Sequence, residues 1–317
     1  MPPNEVPKQP IFVFGAHRSG TTLLQRLLNS YDDVLVWGEH AGVLEHLAAA
    51  YYRGREHPSL FRQARPLAEV LADSDALGSW QAWLTWFEPP AWTAVFRRLV
   101  EELLVPGGLP GKRFWGFKEI RYGAHRDDRT LEFLHALYPE ALFVFIVRNP
   151  FNTVASSSRA PEGTRSLIAI QRVADLWRRR YRTYRAWYAS DTVRSFWIGY
   201  EDLIEARGGV HALLGALRQT LGERQRAVLQ AEGGRRSSFG DGDVNARWQT
   251  LPAFHLAVIE AACGPLRREF GYAAPPLPLL WRLLAPTLLP GLRLAGACAR
   301  VLRKMRERRM PDERSPR

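Results

Sequence analysis

Two cysteines, Cys263 and Cys298, in 317 residues are too few for a disulfide framework and show no zinc-ligand spacing, so a reducing compartment is expected. Long apolar runs are missing as well. The N-terminal MPPNEVPKQP lacks the apolar core of a secretory signal. Near the other end, Leu279 to Leu292 is apolar but carries Arg282, Pro286 and Pro290, which leaves it short of a bilayer-spanning helix. There is no internal repeat, and the only compositionally biased segment is the Arg-rich tail. The expected location is therefore cytoplasmic, with the inner membrane face as the place of any peripheral contact.

What is present in quantity is hydrophobic residues, 46% of the chain with 11 Trp. That is enough for one large core, and the expectation is one α/β domain with insertions. Lys+Arg 44 against Asp+Glu 32 gives a net +12, a balance that suits nucleic acid, an anionic membrane surface or a polyanionic small ligand. From Arg293 onward there are nine Lys/Arg and three Asp/Glu, so half of the excess belongs to the tail. With that part set aside, no aromatic-plus-basic strand motif or known module argues for nucleic acid.

The chain is organised around Ile11 to Thr22, IFVFGAHRSGTT. Four consecutive β-formers, Ile11 to Phe14, read as a strand buried on both faces of a parallel sheet. Gly15 ends it, and Leu23, Leu24, Leu27 and Leu28 then recur at helical spacing. A strand-to-helix turn of this kind aims backbone N–H groups and the positive end of the helix dipole at its ligand, which favours phosphate or sulfate. A nucleotide triphosphatase loop would place Lys after the second glycine. Here Gly20 is followed by Thr21 and Thr22, and the cation stands earlier, at Arg18, with Ser19 as a further donor. A guanidinium suits bidentate phosphate binding, although an ordinary βα turn could also hold Gly and Thr.

Further strands are expected at Val34 to Trp37, Arg113 to Phe117, Ala141 to Val147 and Arg194 to Ile198. Helices are expected at Ala41 to Tyr52, Arg165 to Tyr188, Val210 to Gln230 and Leu251 to Gly264. Pro58 to Val105 reads as several helices outside the sheet, with Trp80, Trp83, Trp86 and Phe87 forming a stripe suited to core packing or to a lid over substrate. Gly233 to Asp243 reads as a loop. Pro150 fits the first turn of a helix that Asn149 could cap. The alternation predicts an α/β architecture, a central parallel sheet with helices on both faces. The expected organisation is a flexible N-terminus at 1–10, a domain at 11–275 containing a helical insertion at 58–105, and an apolar and basic extension at 276–317.

In such folds ligands bind beyond the carboxyl ends of the strands. Arg18 with its hydroxyl loop, Glu39 in Gly38-Glu39-His40, Lys118, and Arg148 followed by Ser156 all stand there. Three cations, a carboxylate and several hydroxyls describe a site for a ligand with separated anionic groups, Arg148 and Ser156 being a second anion point. A strand-end Asp for Mg²⁺ is missing at Arg148 and the loop lysine is replaced by Thr21, both of which argue against ATP.

The segments GAHRSGTTLLQRLL, GEH, GFKEIRYG and FVFIVRNPFNTVASS resemble the sulfotransferases that use 3′-phosphoadenosine 5′-phosphosulfate (PAPS), especially the bacterial and protein-tyrosine branches. The resemblance runs from about Ile11 to Tyr272. It implies a three-layer α/β sandwich related to the P-loop kinases. It also implies that Arg18, Ser19, Gly20, Thr21 and Thr22 bind the 5′-phosphosulfate and that Arg148 and Ser156 bind the 3′-phosphate. Glu39 would be the base on the acceptor hydroxyl and Lys118 would contact the bridging or sulfuryl oxygens. Arg247 and Trp248 loosely resemble the family's cofactor-covering segment. His40 is the second candidate for base, and His17 reads as a packing or phosphate-side residue. No metal is required on this reading, and the acceptor could be a small molecule, a glycan or a lipid. The alternatives are a P-loop-type nucleotide kinase and a non-catalytic nucleotide-binding or membrane-surface protein.

In the tail, Arg293, Arg300, Arg303, Lys304 and Arg308 project to one side of a helix, opposite Leu294, Cys298, Val301, Leu302 and Met305. An amphipathic basic helix suits an anionic membrane surface. Docking of its apolar face on the domain or on a partner chain is the competing expectation.

Overall fold

A computed structural model describes residues 9–57, 72, 89–105, 109–125, 127–157, 166–233 and 247–309. The aromatic stripe at Trp80 to Phe87 and most of the loop from Gly233 to Asp243 lie outside these residues. Five strands form one all-parallel sheet: β1 (Gln9–Gly15), β2 (Val34–Trp37), β3 (Phe114–Glu119), β4 (Leu142–Val147) and β5 (Ser195–Gly199). Their order is β2-β3-β1-β4-β5, so β1 is central and the chain reverses its direction of travel across the sheet beside it. A crevice for ligand is expected outside the strand ends at such a reversal.

The side chains of the central strands sort by chemistry. On one face Phe12, Phe14, Phe117, Phe143 and Phe145 form an aromatic layer. It is covered by α2 (Val43–Arg55), α3 (Pro89–Leu104), α4 (Thr130–Leu137), α5 (Pro150–Ser157) and α6 (Leu167–Ala189). On the other face Ile11, Val13, Val144 and Ile146 are aliphatic. They pack on α1 (Thr21–Asn29), α7 (Tyr200–Glu205), α8 (Gly209–Leu217) and α9 (Glu223–Gly233). The alternation along each strand puts successive residues on opposite faces, and both faces are dry. The architecture is the three-layer α/β sandwich expected from the pattern of elements.

Two helical expectations change. The single helix expected over Val210 to Gln230 is two, because Arg218 takes a left-handed conformation (φ 55°) and closes α8 before α9 begins at Glu223. The helix expected to stop at Gly264 runs as α10 from Ala253 to Glu269, straight through Pro265. Proline removes one ladder hydrogen bond. Here burial of Ala262 and Cys263 and a hydrogen bond from Cys263 Sγ to Ala174 O (3.3 Å) hold the helix against α6. A turn of 3₁₀ helix spans Arg247–Thr250, and α11 (Leu279–Arg309) closes the described chain.

Candidate active site

All five strands are parallel, so their carboxyl ends share one edge. The register places Lys118 beside Val13 and Glu119 beside Phe14, and Gly15 lies beside Ile146 of β4. The turn after β1 is tight. Arg18 (φ 68°) and Gly20 (φ 97°) are both left-handed, and the buried Ser19 folds back so that its backbone N–H and its Oγ donate to Ala16 O (3.1 and 2.7 Å). A Cβ at Gly15 would lie 2.5 Å from Ser19 Oγ and 2.7 Å from Thr21 Cγ2, so the turn closes only around glycine. Gly20 caps α1, no side chain caps that helix end, and its first turn holds no acidic residue. The first N–H groups of α1 and the positive end of its dipole are left for an anion.

Tyr181, in the middle of α6, fastens this turn to the sheet. Its hydroxyl accepts from Ala16 N (3.1 Å) and donates to Ile146 O (2.8 Å), and burial pushes its pKa up to about 12. It stays a neutral hydroxyl and can fill both roles. Tyr200, just past β5, lies under Gly20 and carries the guanidinium of Arg148 over its ring at 4.2 Å. Arg148 is buried and donates from Nη1 to Arg18 O (3.2 Å), which ties the end of β4 to the loop after β1. Asn149 caps α5 through Phe151 N (3.0 Å), as expected, and starts the helix that carries Ser156. Ser156 is buried and its Oγ has no hydrogen-bond partner among the described residues. A buried orphan hydroxyl on a helix following a buried arginine marks a place for an acceptor group.

Glu39 and Lys118 meet. Lys118, 9% exposed at its side chain, donates to Glu39 Oε1 at 2.5 Å, and Arg121 Nη1 donates to Glu39 Oε2 at 2.9 Å. Burial pushes the Glu39 carboxyl up, but the hydrogen bonds and charges of Lys118 and then Arg121 outweigh it and hold its pKa below the usual glutamate value. Arg121 also bonds Glu119 Oε1 (2.7 Å). Glu119 is fully buried and accepts from Ile120 N (2.8 Å), Gly42 N (3.0 Å) and His40 N (3.3 Å), so it fixes the turn that follows Glu39.

His40 packs its ring against Phe117 and sets Nδ1 3.3 Å from the Tyr122 hydroxyl and 3.5 Å from Glu119. Burial lowers its pKa despite Glu119, and its buried Nε2 is without a partner among the described residues. His17 lies on the rim with Nδ1 3.5 Å from Ser157 Oγ, its pKa lowered by burial and by Arg18. The turn at 247–250 packs on α5, where Trp248 N donates to Asn152 Oδ1 (3.4 Å); of Arg247 only the backbone is described. Thr21 is buried and Thr22 exposed at the first turn of α1. Among the described residues no three His, Cys, Asp or Glu side chains gather to hold a metal ion.

A family model described as the sulfotransferase family matches residues 10–217, about two thirds of the chain. The chain belongs to the sulfotransferase family. The matched span runs from β1 through α8 and contains the loop, Glu39, Lys118, Arg148 and Ser156. Among solved structures, the sulfotransferase domain of the Synechococcus PCC 7002 olefin synthase is similar at 21% identity and a TM-score of 0.52, covering 86% of this chain and 98% of that one. Sulfotransferase STF9 from Mycobacterium avium (14% identity, 86% and 78% covered, TM-score 0.45) and a sulfotransferase from Alicyclobacillus acidocaldarius (14%, 87% and 100%, 0.44) are also found. At these identities the likeness concerns the fold. No curated protein sequence matches.

Several residues of this sulfotransferase's site were missed in the sequence. Glu119, Tyr122 and Tyr181 act through backbone groups distant in the chain, Arg121 through the carboxylates of Glu39 and Glu119, and Tyr200 through its ring beneath Arg148; only the charged pair ending the otherwise apolar FWGFKE gave a sign of the first. Arg180, also buried, donates to Tyr122 O (3.1 Å) and braces the same turn.

Proposed function

We propose that this sulfotransferase moves a sulfuryl group from PAPS to a hydroxyl of an acceptor, with Glu39 as base. The observation that carries the choice of donor is the second anion point: Arg148, buried and joined to the loop through Arg18 O, followed by the orphan Ser156 Oγ. A ligand with one phosphate at the loop and another at Arg148 matches an adenosine carrying both 3′- and 5′-groups. The fit to the loop rests on the uncapped N-terminus of α1 and the tight turn that Gly15 and Gly20 allow against Ser19 and Tyr200.

On this reading Arg18, Ser19, Gly20, Thr21 and Thr22 hold the 5′-phosphosulfate, and Arg148 and Ser156 hold the 3′-phosphate. The turn carrying Arg247 and Trp248 covers the nucleotide from the side of α5. When bound, the donor supplies an activated sulfuryl group whose S–O bond to phosphate breaks as a bond to the acceptor oxygen forms. Lys118 and the N–H groups of α1 stabilise the charge that develops on the sulfuryl and leaving oxygens. Glu39 takes the proton of the attacking hydroxyl. At rest its carboxylate is covered by Lys118 and Arg121. An anion that draws Lys118 away removes the main reason for its depressed pKa, so donor binding makes Glu39 a stronger base. His40, neutral and more buried, is better placed to hold the 40–44 turn than to meet an acceptor.

The test is a comparison of two nucleotides by calorimetry. Arg148→Ala should weaken adenosine 3′,5′-bisphosphate at least about tenfold more than adenosine 5′-phosphate, since it removes a charge-assisted contact to one phosphate only. Equal losses would overturn the 3′-phosphate assignment. Radiolabelled PAPS with a cell extract would then show the chemical class of the acceptor.

A further inference from the structure

The long helix α11 carries apolar residues on two sides and docks on the body through only one of them. Its contacts with the body come from one side of the helix: Ala285 and Leu289 are buried, Leu292 packs on the core, Trp281 meets the ring of Phe254, Gly296 lies against Ile168, and Arg293 forms a bidentate pair with Asp175 (2.8 and 2.8 Å). Asp175 is itself buried and also bonds Arg178 and Gln171. Leu279, Leu280, Leu283, Leu294, Val301 and Leu302 are each more than half exposed. At about 100° per residue these six fall within one half of the helical circumference, and Ala285, Leu289 and Gly296 fall in the other half. A second apolar side therefore points away from the body along most of α11.

We propose that this face lies in the plane of an anionic phospholipid surface. An exposed apolar stripe of this extent marks an interaction site. Charge selects the occupant: with Arg293 taken up by Asp175, Arg282, Arg300, Arg303, Lys304, Arg306, Arg308 and Arg309 remain against the one acidic residue of the helix, Glu307. Two copies meeting through α11 would bring two strongly basic helices side by side, whereas acidic headgroups reached by long side chains along the edges of the apolar face neutralise them. No helix of the described residues is long and apolar enough to cross a membrane, so insertion is shallow and parallel to the surface. The bidentate tie to Asp175 makes the helix a fixed part of the molecule, and the surface then holds the whole enzyme in one orientation.

Flotation of the full chain with phosphatidylcholine vesicles, with and without phosphatidylserine at about a third of the lipid, tests this. Binding should be at least about tenfold stronger to the anionic vesicles. Leu279→Ser/Leu283→Ser/Leu294→Ser and, separately, Arg300→Glu/Arg303→Glu/Lys304→Glu should each lower it at least about tenfold with the unfolding midpoint unchanged. Failure of the unaltered chain to float, indifference to phosphatidylserine, or full flotation of the serine variant would overturn the proposal. A concentration-dependent dimer abolished by the serine changes, without flotation, would overturn it in favour of a second copy.

Discussion

As the proposed base, Glu39 carries two opposed demands. A base must be ionised and yet basic, and the cations that keep Glu39 ionised also make it weak. Glu39→Gln keeps shape and loses the proton acceptor. Turnover should fall at least about hundredfold while adenosine 3′,5′-bisphosphate binds unchanged, measured by steady-state kinetics beside calorimetry. The pH profile follows the sign of the shift. Because Glu39 in the donor-free enzyme titrates below the ordinary glutamate value, kcat/KM for the donor should hold on the acid side to a pH below that value. Lys118→Met removes the largest lowering influence and leaves burial, so the acid limb should move to higher pH as the residual rate drops. An unmoved limb would take the role away from Glu39.

At the scale of elements, the sheet was readable because β1 and β4 are buried on both faces and show as unbroken apolar runs, IFVF and LFVFIV. The charged residues that interrupt those runs at their carboxyl ends proved to share one edge, since every strand is parallel. What could not be read is which distant backbone group a side chain meets. Nothing in the run Trp177, Tyr181, Tyr184 distinguishes the tyrosine that reaches Ala16 and Ile146 from its neighbours, since all three are simply a buried helical face. The continuation of α10 through Pro265 was hidden for a related reason, tertiary packing overriding local preference. Two variants test elements directly. A Cβ at Gly116 would collide with the backbone of Ile11 on the neighbouring strand, so Gly116→Ala should cost more than about 3 kcal/mol or prevent folding, read from denaturant unfolding. Asp175→Asn should cost about 2–3 kcal/mol at neutral pH by weakening the tie of α6 to α11. Burial raises the Asp175 pKa, but Arg293 together with Arg178 and Arg179 outweighs it, so the net shift is downward. The stabilisation is fully present above the unfolded value of about 4 and is lost as pH falls through the folded one. The gap between variant and parent should close in acid.

The whole molecule brings one loop, three strand ends and one helix to the carboxyl edge of the sheet, and a ligand that spans them should stabilise all of them together. Adenosine 3′,5′-bisphosphate at about a hundred times its dissociation constant should add about 2.7 kcal/mol and raise the unfolding midpoint by about 5 °C. ATP with Mg²⁺ at the same concentration should raise it less, a comparison made in one thermal-shift plate. An equal or larger rise with ATP would count against the donor proposed.

The Tyr181 hydroxyl that joins Ala16 to Ile146 also sets the tempo of the loop. Ala16 lies one residue beyond β1, where an amide would ordinarily trade its proton with solvent through local fraying. Its N–H is instead held by a hydroxyl at the centre of α6, behind the aromatic layer of the sheet. Deuterium should reach it only when the Ala16 N–H leaves the Tyr181 hydroxyl, which is buried between α6 and the sheet. In exchange measured by mass spectrometry or NMR, the Ala16 amide should therefore be as slow as those of β1, so the ligand loop opens with the core and not before it.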